Sequence, residues 1–359
     1  MKAKPQHYYP GLDSLRGVAI LLVLNFHIFG FSPGWVGVDL FFVLSGFLIT
    51  KNLLDTRDSN GYFRLFFIRR MLRIFPLYFF VLIAFYTAAP FLFSQKQPGS
   101  VYAYYTGNQL WFYTFTQNWL FVKKGLPPEP YLQHFWSLAV EEQFYLLWPF
   151  LIYLVKDTLT LQRTFVAVFL FALVTRLFLW FNPIGYEAFY YTTTARVDSL
   201  SAGAFLAVSI QRKKRFSAMQ IGLAGLLFMV TLLAAFTLYK NLKPDNPVFA
   251  TVGYSCSAIF FMMICYLLIQ SPTWFERFGF LKFTGRISYG LYVYHVPIFL
   301  IVLFTLLNKS IHFFSSPHSA WLFLRLLTVI ITLLISYFSY QIIEQPFLKF
   351  KKKFTDSVQ

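Results

Sequence analysis

Charge is scarce in this 359-residue chain: Asp, Glu, Lys and Arg together make up 13%, against about 25% in a typical soluble domain. With 57% hydrophobic residues and a mean hydropathy of +0.57, that shortage excludes a disordered chain, a coiled coil and an ordinary soluble enzyme. Acids are scarcer still, 14 Asp and Glu against 31 Lys and Arg, for a net charge of +17. In a soluble protein such an excess would point to nucleic acid. Here most of it sits in short stretches between apolar runs, so orientation in a bilayer is the better explanation and no nucleic-acid partner is expected. Cysteine is nearly absent: Cys256 and Cys265 share one apolar run, which offers neither a disulfide framework nor a metal site and leaves buried packing. No cleavable signal-peptide pattern is present, because Arg16 interrupts the first apolar stretch and no small-residue cleavage motif follows. That stretch is expected to stay as the first span. No internal repeat is found.

What the chain does have is long apolar runs rich in aromatics, which make up 22% of residues, with 47 Phe and 23 Tyr. A membrane span needs roughly 20 mostly apolar residues. Ten segments qualify: 12–32, 35–54, 74–94, 136–155, 164–182, 195–211, 217–239, 248–270, 287–308 and 320–343, the sixth opening on polar TTTARVDS. The expected fold is therefore all-α, a polytopic membrane bundle of about ten transmembrane helices with both termini cytoplasmic. Sorting the basic residues on that topology puts 21 on one face, six on the other and four within spans (Arg16, Arg176, Arg196 and Arg325); the bias supports it. Residues 1–347 read as one membrane domain and 348–359 as a basic cytoplasmic tail, with no soluble domain expected at either end. The segment 95–135, with NQLWFYTFTQNWLF, reads as an outer loop holding a short interfacial helix, either an aromatic belt or a sugar-binding platform.

An ionisable residue inside a span is costly and is a functional hypothesis by default. Arg16 and His27 lie 11 residues apart in the first span. At about 100° per residue that spacing returns to within roughly 20° of one face, about 16 Å along the axis. A snorkelling arginine and a structural histidine explain the pair equally well. Histidine is nonetheless the side chain best suited to exchange a proton near neutral pH. The second span carries Asp39 near its outer end, placed to orient His27, to pair with an arginine, or to sit in interfacial water. Its Gly37 and Gly46, with Gly34 just before, permit close helix approach. The next loop reads RRMLRIFP. On a helix Arg70 and Arg73 share a face, and Arg forks suit phosphate oxygens, so these two, with Arg69 beside them, form the candidate phosphate-binding set. The same charges, Arg69 included, also serve as topology signals or lipid contacts.

The fourth span opens HFWSLAVEEQFYLLWP. Glu141 and Glu142 are adjacent, so they point about 100° apart, and Ser137 and Tyr145 lie nearby. One carboxylate can face the bundle centre in an acid–base or ion-pairing role. Weaker candidates are Arg196 and Asp198 in TARVDSLSAGA, Ser288, Tyr289 and His295 in SYGLYVYHVPIF, and Glu344 in EQPF, all of which suit structural polar contacts.

Taken in order, these blocks resemble the acyltransferase-3 family of integral membrane acyltransferases, from about residue 8 to about 347: GLDSLRGVAILLVLNFH, GVDLFFVLSGFLI, RRMLR, FWSLAVEEQFYLLWP, TARVDSLSAGA, SYGLYVYHVPIF and EQPF. The resemblance implies transfer of an acyl group, most often acetyl, from cytoplasmic acyl-CoA to a hydroxyl on an envelope glycan, lipid or metabolite. The multispan design without a cleavable signal suggests a bacterial inner (plasma) membrane. The resemblance also implies roles in transfer for Arg16 and His27, a functional role for Arg70 and Arg73, and, through the SL–two residues–E signature on Ser137, Leu138 and Glu141, a preference for Glu141 over Glu142. Some members of the family carry an added esterase-like domain; no such domain is expected here, and a relay to one would need a separate partner.

The chemistry can be set out beside the resemblance. Acyl-CoA is anionic and should dock on the basic face. A hydroxyl acceptor needs a general base, for which His27 is best placed. Arg16 would stabilise the thioester oxygen or hold CoA. No metal and no tightly bound cofactor are expected beyond the acyl-CoA substrate. Two other readings stay open: a transporter or flippase, which would often show repeats, and a scaffold subunit, which would not need the Arg–His pair.

Overall fold

The computed structural model describes residues 9–93, 97, 99–182, 185–271, 277–314 and 316–350, with side-chain detail throughout except at 308–313. The described residues contain no strand. They form an all-helical bundle in which eight helices are long and apolar enough to cross a membrane. These are Pro10–Phe29, Ser32–Thr56, Tyr62–Leu92, Thr158–Phe181, Ala218–Tyr239, Phe249–Gln270, Ser288–Leu307 and Pro317–Phe350. The other two expected spans are also helices, Trp136–Leu154 and Thr193–Gln211, each of 19 residues. They carry Glu141, Glu142, Arg196 and Asp198, so polar cargo dilutes their apolar character. The molecule is thus a polytopic helical membrane protein.

In chain order, α1 (Pro10–Leu24) runs into a π-helical turn, Asn25–Phe29, and α2 spans Val36–Thr56. α3 spans Tyr62–Leu92. Three short helices follow, α4 (Val101–Gly107), α5 (Gln109–Tyr113) and α6 (Gln117–Lys124). α7 is Trp136–Leu154, α8 Thr158–Phe181, α9 Tyr186–Tyr191 and α10 Thr193–Gln211. α11 is Ala218–Tyr239, and α12 (Tyr254–Gln270) follows a second π turn, Phe249–Gly253. α13 is Gly279–Arg286, α14 Ser288–Phe313 and α15 Pro317–Ser339, the last prolonged by a π turn at Tyr340–Glu344 and continuing as helix to Phe350.

Burial sorts these helices. In α2 78% of the span is enclosed, against 17% in α8, so α2 is central and α8 faces the surroundings with residues such as Val174 and Phe178. What lets α2 sit so deep is glycine. A methyl group at Gly46 would collide with the Leu200 carbonyl of α10, and one at Gly203 of α10 would collide with the Val43 carbonyl of α2. The two backbones therefore meet directly, as small residues allow in membrane bundles. Gly34 and Gly37 do the same against α1, as the sequence suggested. Where helices start outside the apolar layer, ordinary caps appear. Asp157 accepts the Thr160 hydroxyl and the Thr160 N–H, each at 2.7 Å, and these hydrogen bonds hold its carboxyl below the usual range.

Two expectations change. The sequence reads as a third span at 74–94 after a basic loop; α3 instead begins at Tyr62, so Arg64, Arg69, Arg70 and Arg73 stand on helix. Segment 95–135 is not a simple surface belt. Tyr105, Phe112, Leu120, Phe121 and Phe135 are fully buried, and Phe115 stacks on Tyr78 at 4.2 Å, because these short helices fold back into the bundle. Of the basic tail expected at 348–359, residues 348–350 are helix; residues 351–359 lie outside the described residues, as do Lys2, Lys4 and Lys96.

Candidate active site

Two polar regions lie inside the bundle, and a third holds it together. The first is a cavity of about 90 Å³ lined by Arg16 of α1, Ser45 of α2, Arg70 and Arg73 of α3, Ser137, Glu141 and Tyr145 of α7, and Tyr289 and Tyr292 of α14. Helical spacing explains the convergence on α3: residues three apart share a face, so Arg70 and Arg73 both line the space. Arg69, just before them and the third member of the expected phosphate-binding set, does not line it. Glu141 accepts a hydrogen bond from Ser45 at 2.6 Å. Glu142 points elsewhere, with a buried oxygen that has no hydrogen-bond partner. Among the described residues neither Arg70 nor Arg73 forms an ion pair, whereas Arg16 has Asp13 at 3.5 Å. The Arg70 guanidinium lies over the Tyr145 ring at 5.6 Å, and its Nε has no hydrogen-bond partner. The cavity therefore presents guanidinium charge that the protein has not cancelled by direct pairing.

The second region is a cluster of three histidines. His27, in the first π turn, has its ring 4.9 Å from that of His295 on α14 and 6.5 Å from that of His134, just before α7. His134 and His295 are 4.9 Å apart. His295 is fully buried, His134 is nearly so and His27 is half-buried. A π turn widens the helix locally and is frequent at functional sites. Hydrogen bonds fix the tautomers, since a carbonyl only accepts and the ring nitrogen facing it must carry the hydrogen. His27 Nδ1 meets the Val23 carbonyl at 3.1 Å. It therefore donates, and in the neutral ring Nε2 is left with a bare lone pair. His134 donates from Nε2 to the Val293 carbonyl at 3.2 Å, and its bare Nδ1 is buried without a hydrogen-bond partner.

Tyr292 connects the two regions. It lines the cavity, and its ring lies 5.5 Å from His134 and 5.7 Å from His295. Its hydroxyl donates to the His134 carbonyl at 2.7 Å and accepts from Ser137 at 2.5 Å. Arg16 lines the cavity and His27 does not; His27 belongs to the histidine cluster, and Tyr292 touches both regions.

The third region is ionic and fully buried. Asp39 pairs with Arg196 and accepts from Ser257 at 2.5 Å. Arg176 donates to Asp198 at 2.8 Å and to Ser255 at 2.5 Å, and also to the Ala195 carbonyl. Arg196 lies over the Tyr254 ring at 3.9 Å. Of the three roles open to Asp39, the structure gives it the arginine; it is neither in interfacial water nor at His27. These pairs join α2, α8, α10 and α12 and match each arginine to an aspartate, although Nε and Nη1 of Arg196 have no hydrogen-bond partner.

His134 was not singled out from the sequence, although it is one of only six histidines and lies three residues before Ser137. Ser45 and Tyr292 were missed as well, since a lone Ser or Tyr in an apolar run carries no signal of its own.

The fold and these regions define a polytopic membrane protein with a basic internal cavity beside a histidine cluster. A family model described as an acyltransferase domain matches residues 9–337, and the chain belongs to the acyltransferase-3 family. It is similar to the peptidoglycan O-acetyltransferase OatA of Listeria monocytogenes, 29% identical over 97% of this chain and 58% of that protein. It is also similar to a Staphylococcus aureus protein named "Putative O-acetyltransferase", 28% identical over 97% of this chain and 58% of the relative. The chain thus spans under three-fifths of the length of these relatives. No solved structure matches it.

Proposed function

We propose that the protein is a membrane-embedded O-acyltransferase that moves an acyl group, acetyl in the first instance, from cytoplasmic acyl-CoA to a hydroxyl of a cell-envelope saccharide. The carrying observation is the juxtaposition of unpaired arginines in a cavity with a histidine whose Nε2 is bare. The names of the relatives support the acetyl group and a peptidoglycan-like acceptor. The positive-charge bias supports cytoplasmic termini, an inner (plasma) membrane setting and entry of acyl-CoA at the arginine side.

Arg70 and Arg73 take the CoA phosphates, for which bidentate guanidinium geometry is suited. Arg16 joins them in holding CoA. Its 11-residue offset from His27 amounts to about 16 Å of helix, too far for one small reacting centre to touch both. At the histidine end, His27 Nε2 accepts the hydroxyl proton as the acceptor oxygen bonds to the thioester carbon. The carbon–sulfur bond then breaks, and the CoA thiolate takes the proton back from Nε2. The acyl arm passes from the cavity to the histidines beside Tyr292, which touches both regions. No bound cofactor enters this scheme beyond the donor itself.

The test is acetyl-CoA binding and CoA release by the purified protein in nanodiscs, with a β-1,4-linked N-acetylglucosamine tetramer as acceptor probe. His27→Ala should bind acetyl-CoA normally but lose roughly 10²- to 10⁴-fold in turnover, the range for a general base. Normal turnover in a well-folded His27→Ala protein removes His27 from the chemistry. Absence of acetyl-CoA binding in wild type would return the reading to a transporter.

A further inference from the structure

His27 Nδ1 has a second neighbour besides the Val23 carbonyl: His295 Nε2, at 3.2 Å. The other end of His295 is fixed. Its Nδ1 meets two carbonyls of its own helix, Tyr292 at 2.7 Å and Leu291 at 3.1 Å, so that nitrogen carries the hydrogen. In a neutral imidazole the opposite nitrogen is then an acceptor. The pair has one consistent arrangement: His27 Nδ1–H is shared between Val23 and His295 Nε2, and His27 Nε2 stays bare.

We propose that His295 is the positioning residue of a two-histidine relay, taking a share of the proton that His27 gains during transfer. This rests on the functional reading above and adds a second residue to it. When the acceptor hydroxyl gives its proton to His27 Nε2, His27 becomes an imidazolium. Its Nδ1 proton then has an acceptor in His295 Nε2. Transfer along that contact leaves His27 neutral with Nε2–H and makes His295 the cation, whose Nδ1–H already faces two carbonyl oxygens. The reverse shift restores Nδ1–H on His27 as its Nε2 proton goes to the thiolate. No proton is gained or lost overall. A carboxylate fills the partner position in many catalytic triads, fixing tautomer and stabilising the imidazolium. Here the titratable groups whose rings face the two are His134 and Tyr292, so a neutral imidazole is the acceptor on hand. Burial makes the arrangement well defined, since His295 is fully enclosed and its hydrogen bonds meet no competing solvent.

The test has two independent readouts on the full chain in nanodiscs. The first is nitrogen NMR of ¹⁵N-histidine-labelled protein at neutral pH. Both Nδ1 atoms should be protonated and both Nε2 atoms bare. A hydrogen on His295 Nε2 overturns the relay regardless of any turnover. The second is CoA release from acetyl-CoA with the N-acetylglucosamine tetramer. His295→Phe, which removes the acceptor, should lower kcat by roughly 10²-fold while the KM for acetyl-CoA holds. His295→Gln, which keeps an acceptor oxygen but cannot take the proton, should recover only part of that loss. Full wild-type kcat in either variant overturns proton sharing, and the Gln variant keeps the test usable where Phe disturbs folding. A wild type that releases no CoA while showing the expected tautomers defeats the functional reading instead, and the catalytic use of the relay with it.

Discussion

Two sets of arginines inside this bundle have opposite fates. Arg176 and Arg196 are fully buried and each is matched to an aspartate, Asp198 and Asp39. Arg70 and Arg73 line a cavity and have no ion-pair partner among the described residues. The residue type is the same, but the first set is fully enclosed and the second half-buried, and a charge taken out of water is costly in either place. The difference is where the charge is cancelled. In the first set it is cancelled within the protein, so the arginine serves as a tie between helices. In the second it remains to be cancelled, and an anionic ligand can do so. A charged residue within a span is thus a functional signal only when its partner is missing from the fold.

The largest effect should come from breaking a matched pair. Asp39→Asn strands Arg196 as a buried charge, and removing one partner of such a pair costs about 3–5 kcal/mol. Thermal unfolding in nanodiscs should show a large drop in Tm, while Asp39→Leu combined with Arg196→Met should recover much of it. An unchanged melting profile for Asp39→Asn would erase the distinction between the two sets.

Removing the unmatched arginines should do the reverse. Arg70→Ala with Arg73→Ala should leave Tm within a degree or two. It should weaken acetyl-CoA binding by about 1.5–3 kcal/mol for each charged hydrogen bond lost. The loss should be steepest at low salt, where unscreened charge counts most. Titration of acetyl-CoA at two ionic strengths checks it, and intact affinity would leave these residues as topology or lipid-contact charges.

A third class of charge gives the small end of the scale. Lys51 and Asp55 pair one turn apart on α2 and are partly exposed. Lys51→Ala should change stability by no more than about 0.3–0.5 kcal/mol and leave acetyl-CoA binding alone. A melting curve displaced well beyond that would mean the pair is more enclosed than its exposure indicates.

Much of the site was legible because each motif carries its own chemistry. An arginine or a carboxylate in an apolar run is conspicuous on cost alone, which is how Arg16, Arg196, Glu141 and Asp39 stood out. The three-residue spacing of Arg70 and Arg73 placed both on one face even though the segment was read as a loop. That misreading has a simple cause: four arginines between residues 64 and 73 lower the apolar signal, yet they sit on a helix whose register continues unbroken from Tyr62 to Leu92. Partners were not legible. Asp39 and Arg196 are 157 residues apart, and three roles for Asp39 were equally consistent with its neighbours in the chain.

The sequence by itself determined the solvent, the helical class and the family of this protein. Those follow from the length of apolar runs, the bias of positive charge and the order of short motifs, all local or additive along the chain. Tertiary structure decided which arginine meets an aspartate and which faces a cavity, that Arg16 lines that cavity while His27 does not, and that His27 has His295 beside it. Each of these depends on contacts between helices distant in sequence, set by glycine-level backbone approach and by hydrogen bonds that must be satisfied where water is absent. No periodicity in the chain encodes such contacts, so the division between structural and available charge is a property of the packed bundle alone.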